Sequence, residues 1–367
     1  MSDTLQDRTQ SVSASGEEEL RFIRNFHDVF LSIGLGMLIV GIGIASSLIV
    51  GNMVLSFLGE GFSQAPRRAL LTGATVCFID AAIVWALAEV FARTRRLFLP
   101  AIVIMIGFVF FFVTGVGLGY AGLQNITELN DSVWEEAGFR IRMLIFLLAV
   151  AGTVASAAYY TRMKLPFAMG ITGAAMAATV ITGLGLFIPD LLTDNILLVL
   201  LFEGLFLFAL GVFFDARDPA RVTRLSDNGF WLHFFAAPLI FFSVTRMAAG
   251  GGTGDIFAGS AAGAPIMTLV VVLVFALISL LINRRALLVA GLISALVAVS
   301  SLLRDAQVDA GWTAASTLLI LGGAMVALGG GWHTLRGVLV APFPKSGFLA
   351  RIIPPETGPN PRDQIVG

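Results

Sequence analysis

Ile-Val-Ile-Met-Ile-Gly-Phe-Val-Phe-Phe-Phe-Val, residues 102–113, runs without a charge and without alternation of apolar and polar side chains. Extended outward, the segment from Leu97 to Gly119 still holds no Asp, Glu, Lys or Arg. A helix needs about 20 apolar residues to cross the hydrocarbon core of a bilayer. Lipid offers no partner to a free backbone N–H or C=O, so a spanning segment is either a helix or a strand of a closed barrel. Barrel strands are segments of about ten residues that alternate apolar and polar. This one does not alternate, so the barrel is excluded and a membrane helix is left.

The rest of the chain repeats the pattern. Of 367 residues, 57% are hydrophobic and 13% charged, against roughly 25% charged in a soluble domain, and the mean hydropathy is +0.90. Apolar runs between charges predict spans at 29–50, 69–91, 97–119, 143–160, 167–187, 196–214, 230–244, 266–282, 286–303 and 312–332. The expected fold class is all-α: a polytopic transmembrane bundle of about ten helices. The domain reading is a polar arm over 1–28, a bundle over 29–332 and a tail over 333–367. The arm carries Glu17, Glu18 and Glu19, unlike the basic start and short apolar core of a cleaved signal peptide. The first helix is therefore expected to direct insertion.

Lys and Arg set the orientation. Of the 23, seventeen fall in the arm, the tail and the connectors on the same side, including Arg93, Arg95, Arg96, Arg162, Lys164, Arg217, Arg284 and Arg285. Six fall opposite: Arg67, Arg68, Arg140, Arg142, Arg246 and Arg304. Both termini are expected in the cytoplasm, with the bundle in the cell (inner) membrane. Segments two and three, four and five, six and seven, and eight and nine are joined by mostly short basic connectors, which make antiparallel hairpins. Segments two and six also echo each other. Asp80 precedes Phe91 by the same eleven residues as Glu203 precedes Phe214, with Ala86-Leu87 matching Ala209-Leu210 and Trp85 matching Phe208.

Ionisable residues within the spans are the first place to look for function, because each costs about 2.5–3.5 kcal/mol at the centre of an inserted helix. Asp80 stands midway along its segment, and Glu203 lies at similar depth beside Gly204. Desolvation there disfavours the charged form of an isolated carboxylate. Two such acids suit proton-coupled transport or a cation site; bonded to neighbours, they would instead hold helices together. The third candidate for a solute or ion contact is His233, in Phe230-Trp231-Leu232-His233-Phe234-Phe235 near the cytoplasmic boundary, where aromatics form an interfacial belt. Glu89, four residues before Arg93, has the spacing of an intrahelical ion pair.

Several classes drop out. A net charge of −1 gives no nucleic-acid surface. The single cysteine, Cys77, excludes an intrachain disulfide and a cysteine metal cage, and no metal or cofactor is expected. There is no nucleophile or zinc-protease motif, so an enzyme is not expected. Segment seven is short, contains Pro238 and precedes Gly250-Gly251-Gly252 and a glycine/alanine-rich stretch to Ala264. That composition reads as an external loop or as the interrupted helix of a transporter site. Glycines pair seven apart in segment one, Gly34 with Gly41 and Gly36 with Gly43, for close helix contact. The connector 124–142, with Glu128, Asp131, Glu135 and Glu136, reads as a solvated surface helix. The tail mixes Leu335, Val338 and Phe343 with Arg336 and Lys345, and reads as an interfacial anchor broken by Pro342 and Pro344.

The glycine-rich first helix from Gly34 to Gly43, and the exit Gly331-Trp332-His333-Thr334-Leu335-Arg336 followed by Arg351 and Pro354-Pro355, resemble a group of bacterial inner-membrane proteins with no assigned activity. That resemblance implies a helical bundle in the cell membrane. Ten helices with both ends inside also resemble the drug/metabolite transporter superfamily, built from two inverted five-helix halves. The echo between segments two and six departs from that pattern, because those segments point the same way. The expected function is a small-solute or ion transporter with buried carboxylates near the bilayer midplane. The alternative is a structural or regulatory subunit of a membrane complex. Expected partners are the lipid bilayer, a small solute or proton, and a membrane-protein partner or second copy.

Overall fold

The computed structural model describes residues 26–58, 65–124, 134–218, 224–248, 264–284 and 286–344, with single positions up to 353. Ten long helices follow in chain order. They are α1 (Phe26–Leu58), α2 (Ala65–Ala88), α3 (Phe98–Leu123), α4 (Trp134–Met163) and α5 (Pro166–Phe187), then α6 (Pro189–Arg217), α7 (Arg224–Ala248), α8 (Ala264–Ile282), α9 (Ala286–Asp305) and α10 (Ala310–Gly330). A short α11 (Trp332–Val340) closes the described chain. Each predicted segment coincides with one long helix. Among the described residues, nine helices are long and apolar enough to cross a membrane. The tenth, α9, has 20 residues, and several of its side chains lie outside the described set. The chain is an all-α polytopic membrane protein. The arm 1–25 and the glycine-rich stretch 249–263 lie outside the described residues.

The helices sort into two compact units, Glu19–Leu192 and the part from Thr193 onward. The first holds α1 to α5, and the second holds most of α6 with α7 to α11.

In the first unit α2 packs on α3, α4 on α5, and α1 across α2 and α3. Glycines set the approach. A Cβ on Gly107 of α3 would stand 2.7 Å from Ile39, and one on Gly117 would stand 2.9 Å from Leu148. The two glycine pairs of α1 behave differently from each other. Gly36 and Gly43 face Val103 and Phe111 of α3, whereas Gly34 and Gly41 have nothing within 4 Å. Only one of the two stripes is a helix contact. Trp85, Phe108 and Tyr159 form the aromatic centre, with Trp85 and Phe108 ring centroids 4.9 Å apart. The buried Tyr159 hydroxyl donates to the Ala101 carbonyl at 2.9 Å, tying α4 to the start of α3.

The hairpin connectors share a local geometry. Among the described residues, Arg96 between α2 and α3, Lys164 between α4 and α5, and Asn283 between α8 and α9 each have φ 54°, and Gln307 between α9 and α10 has φ 58°. One left-handed residue turns the chain from one helix into its antiparallel neighbour. The helix α2 ends in a π-helical turn, Glu89–Thr94. The expected Glu89–Arg93 pair is present there at 2.9 Å. Of the connector 124–142, read as a solvated face or a short surface helix, residues 134–142 are the first turns of the 30-residue α4, and 125–133 lie outside the described residues.

Segment seven was the shortest apolar run, yet α7 has 25 residues. Its first turns hold polar side chains packed within the protein: Ser226 and Asn228 are each 3% exposed. Beyond α10, α11 packs against α8 and buries Trp332, Arg336 and Val340. The Trp332 indole donates to Asn283 Oδ1 at 3.0 Å. The tail reads from sequence as an interfacial anchor, yet its Arg336 is buried within the protein. Desolvation pushes its guanidinium down to about 10, which still leaves it charged at neutral pH.

Candidate functional site

The acids of the spanning helices fall into two kinds, and the sequence does not separate them. One kind has its oxygens bonded. The other has oxygens shut away from solvent with nothing to bond.

Asp215 is of the first kind. The helix α6 buries Gly204, Leu207, Gly211 and Asp215, a spacing of three to four that places them on one face. Against it α7 sets Ser226, Gly229 and His233, spaced in the same way. A Cβ on Gly204 would stand 2.6 Å from Ile240 Cγ1 and 3.0 Å from its backbone nitrogen, and one on Gly211 would stand 2.8 Å from the His233 ring. The two helices are therefore in close contact along this face. Arg284, between α8 and α9, reaches into the far end. Its Nε donates to Asp215 Oδ2 at 3.0 Å, and a terminal nitrogen donates to Asp215 Oδ1. That same nitrogen donates to the Ser226 carbonyl at 3.0 Å and to its hydroxyl at 2.9 Å. The Arg284 backbone is fixed in turn, since Ser279 Oγ donates to its carbonyl at 2.6 Å. His233 Nε2 lies 3.1 Å from Asp215 Oδ2. A carboxylate paired with Arg only accepts, so Nε2 carries the proton of this bond. Arg284 is 2% exposed and His233 0%.

This corrects the reading of His233 as part of an interfacial belt. The ring lies inside the protein, against Phe208 at 4.8 Å between centroids, and its partner is a carboxylate one residue beyond the predicted end of segment six. Sequence reasoning places Arg284 in a connector and does not single out Asp215, so their pairing is missed. The available signal was the polar stripe Ser226, Gly229 and His233 on an otherwise aromatic α7.

A related arrangement closes the first unit. Glu89, at the end of α2, accepts from Arg93 and, at 2.7 Å, from Arg162 Nε at the end of α4. In both units an acid ending one helix is bridged to an arginine two helices later. The Glu89 cluster is solvent-exposed, so water screens its attraction. The Asp215 cluster is buried.

Asp80 and Glu203 are of the second kind. Asp80 is 4% exposed. Its Oδ1 accepts from Ser46 Oγ of α1 at 2.9 Å, and its Oδ2 is buried with no hydrogen-bond partner. Glu203 stands beside the α6–α7 contact, next to Gly204. Both of its carboxylate oxygens are buried and unpartnered, while Phe202 and Phe206 on either side are 67% and 57% exposed. Asp80 belongs to the first unit. Glu203 and His233 belong to the second, on the facing helices α6 and α7.

The tight packing around Asp215 gives a test. Ala in place of Gly229 would drive its Cβ into Asp215 Oδ1. Helix propensity favours Ala over Gly by about 0.8–1.0 kcal/mol, whereas displacing the carboxylate from Arg284 costs about 3 kcal/mol or more. Gly229→Ala is expected to lower the thermal unfolding temperature in detergent. Gly322→Ala in α10, where nothing lies within 4 Å, is expected to leave it unchanged or raise it. Equal behaviour of the two variants would contradict the packing argument.

No family model, curated protein or solved structure matches this chain, so its function has to be read from these residues.

Proposed function

We propose that this membrane protein is a small-solute or ion transporter in which Asp80 and Glu203 each bind a transported or coupling cation within their own unit, a proton in the simplest case. The observation that carries the reading is that Asp80 Oδ2 and both oxygens of Glu203 are buried without a partner in helices of spanning length. A carboxylate used to fasten helices has its oxygens bonded, as Asp215 does here. Open oxygens in lipid-spanning helices are costly to keep, and binding a proton or cation removes that cost. Two units with five long helices each suit the resemblance to transporters built of five-helix halves. The excess of Lys and Arg on one side supports a cytoplasmic location for both termini.

The test uses the full chain in liposomes enclosing a pH-sensitive dye, with a potassium gradient and valinomycin setting the membrane potential. Wild-type vesicles are expected to acidify faster than empty ones, and Asp80→Asn or Glu203→Gln to remove the difference. Wild-type vesicles that acidify no faster than empty ones, or variants that match the wild type, would overturn the proposal.

A further inference from the structure

We infer that the joined ends of the α2–α3 and α4–α5 hairpins form a docking surface for the headgroups of anionic phospholipids. The inference rests on a different part of the first unit and does not depend on the transport reading.

Glu89 binds Arg93 at 2.9 Å and Arg162 at 2.7 Å, so one carboxylate draws the two hairpin ends together. Around it stand Arg93, Arg95, Arg96, Arg162 and Lys164, all exposed. Five cations against one carboxylate leave a strong local excess of positive charge. Arg93 and Arg162 are engaged with Glu89. Arg95, Arg96 and Lys164 have no carboxylate partner among the described residues.

Their setting fits the headgroup layer. The Arg95 guanidinium lies over the Phe91 ring and the Lys164 ammonium over the Tyr160 ring, each 5.7 Å from the centroid. Aromatic rings at the ends of spanning helices sit at headgroup level, so these contacts hold the cations at that depth. Arg96 and Lys164 also occupy the left-handed turn positions, which glycine fills without steric cost. Both hairpins carry a cation there instead. A cluster of basic side chains beside spanning helices is complementary to anionic lipid, and each cation adds to that attraction.

The experiment titrates the full-length protein in neutral detergent with phosphatidylglycerol, phosphatidylcholine and inorganic phosphate, and reads thermal unfolding and bound lipid by native mass spectrometry. Phosphatidylglycerol alone is expected to stabilise the wild type. The triple variant Arg95→Gln, Arg96→Gln, Lys164→Gln is expected to bind it about a hundredfold more weakly, and Lys164→Gln alone about fivefold more weakly. Arg67→Gln with Arg142→Gln, at the other ends of α2 and α4, should leave binding unchanged. Equal stabilisation by phosphatidylcholine, or reproduction of the effect by free phosphate, overturns the inference. Undiminished lipid binding by the triple variant overturns it as well. If the triple variant does not fold, Lys164→Gln decides on the same terms.

Discussion

Arg284→Ala is expected to destabilise the protein by about 3–5 kcal/mol, because it leaves the buried Asp215 carboxylate without its cation. The loss extends beyond the pair. The same guanidinium holds the Ser226 carbonyl and hydroxyl, so the start of α7 loses its tie to the α8–α9 turn. His233 alone does not replace it, since its single contact with Asp215 is 3.1 Å long against a bidentate arginine contact. Arg284→Lys is expected to recover only part of the loss, because a lysine cannot span both oxygens with a fixed fork. Pairing Arg284→Met with Asp215→Leu is expected to be closer to wild type than Arg284→Ala alone, since an absent charge needs no partner. Chemical or thermal unfolding of purified variants in one detergent measures each value. A loss below about 1 kcal/mol for Arg284→Ala would place this cluster with exposed ion pairs, against its burial.

The second large effect has the opposite pattern. Asp80→Asn and Glu203→Gln are each expected to reduce proton flux to the level of empty vesicles, while stability stays level or rises. An amide cannot carry the proton, so transport stops. An amide also removes an ionisable group that costs about 2.5–3.5 kcal/mol near the centre of a membrane helix. At position 80 the amide oxygen can still accept from Ser46, so the α1–α2 link survives. Loss of function with retained stability is the usual mark of a residue kept for activity. Asp215→Asn is expected to weaken folding instead, because Arg284 then loses its counter-charge. Comparing the three variants for flux and for unfolding separates coupling acids from structural ones. A fall in stability for Asp80→Asn as large as that for Asp215→Asn would assign Asp80 to packing.

The sequence made the helices legible and hid the ion pairs. Long charge-free runs locate membrane helices because lipid punishes any unpaired backbone or charge, and all ten segments coincide with helices. Helix ends were harder. The run 196–214 lies inside a 29-residue α6, and 230–244 inside a 25-residue α7, since helical turns outside the hydrocarbon need not be apolar. Asp215 fell just beyond one run and Arg284 beyond another. Each looked like an ordinary connector charge, and only the fold shows that they meet across 69 residues of sequence. The number of basic residues in the connectors likewise carries no hint of the bridge from Glu89 to Arg162. Asp80 and Glu203 stood out for the reverse reason: a lone acid in an apolar run is conspicuous. Sequence could not say whether such an acid finds partners. The structure gives Asp80 one bonded oxygen and Glu203 none.

The most direct measurement is covalent labelling of membranes near neutral pH with dicyclohexylcarbodiimide, followed by peptide mass spectrometry. The reagent partitions into lipid. A protonated carboxyl adds across its C=N bond to give an O-acylisourea, which rearranges to a stable N-acylurea. The adduct is expected on Asp80 and Glu203, the intramembrane acids with open oxygens, and not on Asp215, whose oxygens are held by Arg284 and His233. Labelling of Asp215 with neither Asp80 nor Glu203 modified would contradict the assignment of these two acids as the proton-binding groups.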